Sequence, residues 1–244
     1  MKFTWLGGPS FVLELGPFRL LGDPVLAASF ELPGTGKVTR VTPALVPGAL
    51  GAPADATLVT SIRPDHFDFA ALERRGAGTV LAPATTKVAD SRALAWGDSV
   101  RLEKSGMSLA IVAVPAGTPG GAERDNGYFL RLEGGAQPFT AYITGDARFS
   151  EATRELQRTQ GYANLLVLYL GAERAADGSF RSADSKDGMQ IVYRMQPNAI
   201  AAVHHATFSH YTETIDPLLE KIELTIYDKR LRRLNEGESF EKSS

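Results

Sequence analysis

Residues 56–68 read ATLVTSIRPDHFD, a short apolar run that leads directly into a carboxylate–imidazole pair, Asp65-His66. ATLVT (56–60) has the pattern of a buried strand. FAALERRG (69–76) follows with apolar residues at helical spacing and a stop at Gly76. Taken alone, Asp65 could be no more than the N-cap of that helix. The rest of the chain decides between a cap and a ligand.

On the N-terminal side, FTWLG (3–7), SFVLEL (10–15) and FRLLGD (18–23) alternate like an antiparallel meander punctuated by Gly7, Gly8, Gly16 and Pro17. On the C-terminal side, GTVLAP (78–83) predicts a strand and KVADSRALAW (87–96) a helix. DSVRLEK (98–104), MSLAIVAVP (107–115), GYFLRLEG (127–134) and FTAYITGD (139–146) form a second antiparallel series. Helices are then predicted at 150–158, 185–195 and 215–222, and strands at NLLVLYL (164–170), AIAAVHH (199–205) and ELTIYD (223–228). The tail DKRLRRLNEGESFEK (228–242) mixes charges of both signs and reads as a solvated terminal turn. This order suits two sheets packed face to face with helices outside, built as a single domain over 1–244.

Four features fall at strand ends: Asp65-His66, the segment VPAGTP (114–119), Gly145-Asp146 and His204-His205. Carboxylates and imidazoles are ligands for zinc, manganese or iron. They converge only if those strand ends share one rim. His205 is expected to face away from His204, since side chains alternate along a strand. His210-Tyr211 reads as a surface loop.

In its ordered set of motifs the chain resembles the metallo-β-lactamase superfamily, nearest the ascorbate-6-phosphate-lactonase-like branch. The strings that carry the resemblance are TWLGGPSFVLEL (4–15), DPVL (23–26), LVTSIRPDHFD (58–68), VAVPAGTP (112–119), YITGDA (142–147), DSKDGMQIVYRMQPN (184–198) and AAVHHATF (201–208). The resemblance implies an α/β fold, a four-layer αββα sandwich. It also implies a His-x-His-x-Asp-His signature, which here reads Ser61-Ile62-Arg63-Pro64-Asp65-His66. Ser61, Arg63 and Thr118 therefore stand where the three histidines of a first metal would be. The second-metal set, Asp65, His66, Asp146 and His204, is retained. The chain has four histidines in all, fewer than the five of a complete dinuclear site.

Arg63 cannot give up its proton. It is expected to pair with Asp65 or Asp146 and to replace the first metal electrostatically. Two functional readings follow. In the first, one divalent metal (zinc or manganese) serves a hydrolase of an ester, lactone or phosphodiester, with Asp65 and Arg63 catalytic. Ser61, Thr118, His205 and Phe208 then face the substrate, and Trp5, Phe11, Asp23, Phe67, Phe149 and Tyr211 add to the pocket wall. In the second, the protein carries no metal and binds a small-molecule ligand or partner. A metal-independent enzyme using Ser61, Asp65 and His66 is a weaker variant of this.

Composition narrows the partners. Net charge is −2, without a long basic block, so nucleic acid is not expected. No apolar run approaches about 18 residues, so neither a membrane span nor a signal peptide is expected, and a cytoplasmic location is the default. The absence of cysteine removes disulfides and thiolate ligands. Oligomeric state is not legible.

Overall fold

The computed structural model describes residues 1–43, 51–73, 76, 78–85, 88, 90–116 and 125–242. The first half of the chain forms β1 (Lys2–Gly7), β2 (Ser10–Leu15), β3 (Phe18–Gly22), β4 (Ser29–Leu32), β5 (Gly36–Thr39), β6 (Ala56–Leu58), helix α1 (Phe69–Glu73), β7 (Thr79–Pro83) and β8 (Ser91–Leu94). The second half forms β9 (Ser99–Lys104), β10 (Met107–Pro115), β11 (Asn126–Glu133), β12 (Phe139–Ile143), α2 (Glu151–Gln160), β13 (Leu165–Tyr169), α3 (Ser185–Met195), β14 (Ala199–Val203), α4 (Asp216–Ile222), β15 (Leu231–Arg232) and β16 (Ser239–Glu241).

Two seven-stranded sheets result, with orders β16-β1-β2-β3-β6-β7-β8 and β15-β14-β13-β12-β11-β10-β9. Each is antiparallel in one part and parallel in the other: β3, β6, β7 and β8 run parallel, as do β12, β13, β14 and β15. Strands covered on both faces need apolar residues at every position. LLVLY of β13 shows why: Leu165, Val167 and Tyr169 enter the core between the sheets. Leu166 and Leu168 pack outward with Leu156, Ile191, Val192 and Leu218 of α2, α3 and α4. On the other side Phe67 and Leu72, flanking and within α1, cover Val59, Val80 and Ala82. The αββα layering read from the sequence is what folds.

Three local expectations are corrected. The helix predicted over 87–96 is, in its described part, the strand β8, because Ser91–Leu94 extends the parallel ladder beyond β7. ELTIYD (223–228) is a run of turns rather than a strand. Leu224 and Ile226 are 94% and 72% exposed, and Leu231–Arg232 takes the free edge of β14 instead. The tail is not a solvated turn: β15 and β16 close one edge of each sheet, and Glu236 between them accepts from Arg40 and Thr42.

Candidate metal centre

The functional side chains follow the C-terminal ends of the parallel strands, the end at which open α/β sheets collect ligands. Asp23 follows β3, the segment Thr60–His66 follows β6, Asp146 follows β12, Glu173 follows β13 and His204 follows β14. After β6 the chain makes a tight turn through Pro64, with the amides of His66 and Phe67 both donating to the Arg63 carbonyl at 2.9 and 2.8 Å. That turn drives Asp65 and His66 inward until neither retains exposed surface. His204 leaves β14 in a left-handed conformation (φ 63°), uncommon for a residue with a Cβ and costing on the order of 1–3 kcal/mol. The bend turns its ring into the centre, and its amide donates to the Gly8 carbonyl at 2.7 Å. Gly171 makes room for it: a Cβ there would lie 2.4 Å from the His204 carbonyl oxygen.

Both imidazoles are pinned from behind. His66 Nδ1 lies 3.0 Å from the Asp23 carboxylate, which also accepts from the Thr60 amide and hydroxyl (2.7 and 2.5 Å) and from the Tyr169 hydroxyl (2.9 Å). His204 Nδ1 lies 3.0 Å from the Leu170 carbonyl. A ring that donates through Nδ1 turns the Nε2 lone pair the other way, and this is how histidine ligands are usually oriented. His66 Nε2, His204 Nε2 and Asp146 Oδ1 are all buried without a hydrogen-bond partner among the described residues. His66 Nε2 is 3.3 Å from Asp146 Oδ2 but without the alignment of a hydrogen bond.

The ligand atoms fall into two sets that share His204: His66, Asp146 and His204, and Asp65, His204 and His210. Within each set all atoms lie within 4.8 Å of one another. A divalent ion with ligands at about 2.0–2.2 Å requires such atoms to lie within about 4.4 Å. The donor set therefore fits a metal ion with only small adjustment.

Arg63 occupies the other side of this cluster. Its Nη2 donates to Asp65, Asp146 and Glu173 at 2.8, 2.8 and 2.6 Å, and its Nε reaches the second oxygen of Asp65 at 3.2 Å. Glu173 also accepts from Arg181 at 3.1 Å. Burial works against the Asp65 and Asp146 carboxylates, yet Arg63 and the imidazoles hold both below the usual aspartate range. Burial likewise opposes an imidazolium at His66, but Asp146 and Asp65 raise its pKa well above the ordinary value. Four carboxylates (Asp23, Asp65, Asp146, Glu173) face two guanidiniums, leaving two formal negative charges. A divalent ion cancels both, and a protonated His66 cancels one.

Outside the cluster opens a cleft of about 760 Å³, lined by Ser61, Ile62, Arg63, Thr85, Asp125, Asp146 and Arg181 among others. The pairing of Arg63 with both aspartates is as the sequence suggests, and Ser61 lies in the cleft wall. Thr118 lies outside the described residues. His205 turns away and packs at a tilt against Trp5 (4.9 Å between rings) in a separate hollow, where burial lowers its pKa to about 4. Phe208 packs with Val25, Leu32 and Val38 rather than in the cleft. Trp5 and Phe11 belong to the core between the sheets, and Phe67 lies under α1. Of the expected aromatic wall, these four are packing residues, whereas Tyr211 lies against His204 at 4.5 Å between rings. His210 is no surface residue: its side chain is 1% exposed and its Nε2 lies 3.3 Å from Asp65. Glu173, Arg181 and Asp125 were not foreseen. Glu173 alone had a signal, a carboxylate four residues past a wholly apolar strand.

No protein-family model and no curated protein matches the chain. Solved structures do. A possible metal-dependent hydrolase from Veillonella parvula superposes with a TM-score of 0.78 at 18% identity, over 98% of each chain. An isothiocyanate hydrolase from Delia radicum gut bacteria gives 0.76 at 19%, over 100% of each. The metallo-β-lactamase fold protein YhfI from Bacillus subtilis gives 0.58 at 13%, over 98% of each. The architecture is the metallo-β-lactamase fold.

Proposed function

We propose that this chain is a hydrolase of the metallo-β-lactamase superfamily that works with one divalent metal, zinc or manganese, in place of two. The observation that carries the reading is the pair of inward-facing, unpartnered Nε2 atoms of His66 and His204, beside an unpartnered oxygen of Asp146. Three such atoms are costly to bury together with nothing between them. A bound ion would supply Lewis-acid activation of water and of the scissile group.

The chain's own residues do the remainder. Arg63, with a side chain 21% exposed to the cleft, keeps Asp65 and Asp146 ionised and places a fixed positive charge where a first metal would otherwise stand. Its exposed edge can meet negative charge developing on an ester, lactone or phosphodiester. Asp125, in the cleft wall, is raised by burial even though Ser61 hydrogen-bonds it, so it retains a proton more readily than an ordinary aspartate. It is the group placed to protonate a departing oxygen. The similar folds that bear hydrolase names support the reaction class.

A second reading, a metal-free binding protein, is favoured by one observation: Arg63, Arg181 and a protonated His66 already offset three of the cluster's four carboxylates. Metal analysis of protein purified without chelator separates the two. About one equivalent of metal, with turnover of bis-p-nitrophenyl phosphate or a simple lactone on adding zinc or manganese, is the expected result. A metal-free, inert protein whose melting is unmoved by EDTA would leave the binding reading standing.

A further inference from the structure

The second ligand set contains a histidine that the superfamily resemblance does not supply. His210 sits past β14 in a segment fastened to the end of β5: the Ser209 amide donates to the Thr39 carbonyl at 2.9 Å, and the Thr39 amide donates to the Ser209 hydroxyl at 3.1 Å. Next to these, Arg40 and Phe208 form a bridge. The His210 ring is wedged between Tyr211 (4.4 Å between centroids) and Phe30 and Phe208 (6.3 and 6.2 Å). Its orientation is therefore fixed by packing, and that orientation points Nε2 at Asp65.

Two facts distinguish it from an ordinary core histidine. Its side chain is buried with Nε2 facing a carboxylate of the cluster, and its ring closes a compact ligand set with Asp65 and His204. A histidine kept only to hydrogen-bond Asp65 would be redundant, because Arg63 already serves both oxygens of that carboxylate.

Building on the one-metal reading above, we infer that His210 is a ligand of the metal, an imidazole recruited from the loop after β14 to offset the histidines missing at Ser61, Arg63 and Thr118. Between them the two sets, which share His204, offer three imidazoles, from His66, His204 and His210, and two carboxylates, from Asp65 and Asp146. That donor mixture suits zinc, iron or cobalt better than magnesium or calcium.

The test compares wild-type protein with His210→Gln, in which the amide can still donate to Asp65 but no imidazole remains. Zinc affinity is measured by chelator competition, and cobalt(II) is added as a spectroscopic probe. The expected result is one zinc per wild-type chain, an affinity loss of at least about 10–100-fold in His210→Gln, and an altered cobalt(II) visible spectrum. Equal affinity and an identical spectrum would overturn the role of His210 while leaving the one-metal reading intact. A wild-type chain that takes up neither zinc nor cobalt would overturn both. Should the variant not fold, proton NMR of the cobalt(II) wild type decides. A strongly shifted imidazole signal assigned to His210 supports the inference, and an unshifted His210 ring refutes it.

Discussion

Replacing Arg63 with methionine should leave the stem's packing largely in place and remove the guanidinium that binds three buried carboxylates. Taking one partner from a buried ion pair costs about 3–5 kcal/mol, because the remaining charges stay desolvated and unpaired. Here Asp65, Asp146 and Glu173 would be left with Arg181 and the imidazoles of His66, His204 and His210. In a chain of this length each kcal/mol moves the melting temperature by roughly 2–4 °C, so metal-free Arg63→Met should melt about 6–20 °C below the wild type at pH 7. The deficit should depend on pH with a definite sign. Asp65 and Asp146 have folded-state pKa values below the ordinary 3.8, so their contribution is present above that value and is lost as pH falls through the depressed ones. In Arg63→Met both carboxyls rise, so the gap should be widest near neutrality and should narrow as pH falls toward about 4. Calorimetry of both proteins in EDTA from pH 7 to pH 4 measures this. A variant that melts within 2 °C of the wild type at pH 7, taking ~2 °C as the smallest shift worth a kcal/mol, would show that Arg63 does not hold the cluster together.

Zinc at a hundred times its dissociation constant should stabilise the wild type by about 2.7 kcal/mol, a rise in melting temperature that EDTA reverses; no shift would contradict the metal centre. Asp23→Asn removes the carboxylate behind His66 Nδ1 and should weaken zinc binding about 10–100-fold, read by chelator competition. An unchanged affinity would mean that Asp23 does not orient the ring. Gly171→Ala forces a side chain into a φ of +96° and against the His204 carbonyl. It should cost about 1–3 kcal/mol and lower zinc affinity as well, with equal melting curves as the refuting outcome. Asp125→Asn should depress kcat on substrates with poor leaving groups far more than on p-nitrophenyl esters, and equal loss on both would argue against proton donation.

The layered fold was legible because its evidence is local and repeated. Strands such as ATLVT and NLLVLYL announce themselves by continuous apolar residues, and α3 by its helical spacing. The same local reasoning failed at 87–96 and 223–228, where pairing at a sheet edge outweighed intrinsic pattern. At the site, Asp65, His66, Asp146 and His204 could be picked out because each follows an apolar strand or a turn glycine. His210 and Arg181 could not. Their partners lie 145 and 8 residues away in sequence, and nothing in HYTET or SFRSADS distinguishes them from surface loop. His205 does face away from His204, as strand alternation suggests, but it meets Trp5 rather than the cleft, a packing across the sheets that the sequence pattern does not carry.

Asp23 comes from one sheet and Tyr169 from the other, and their hydrogen bond closes the seam directly beneath His66. The floor of the cleft is therefore a clasp between the two halves of the molecule, and any slippage of one sheet on the other would be felt at the imidazole. Adaptation to a new substrate has little freedom there. It must act at the rim, on Ile62 and Thr85, where side chains can be exchanged without unfastening the halves.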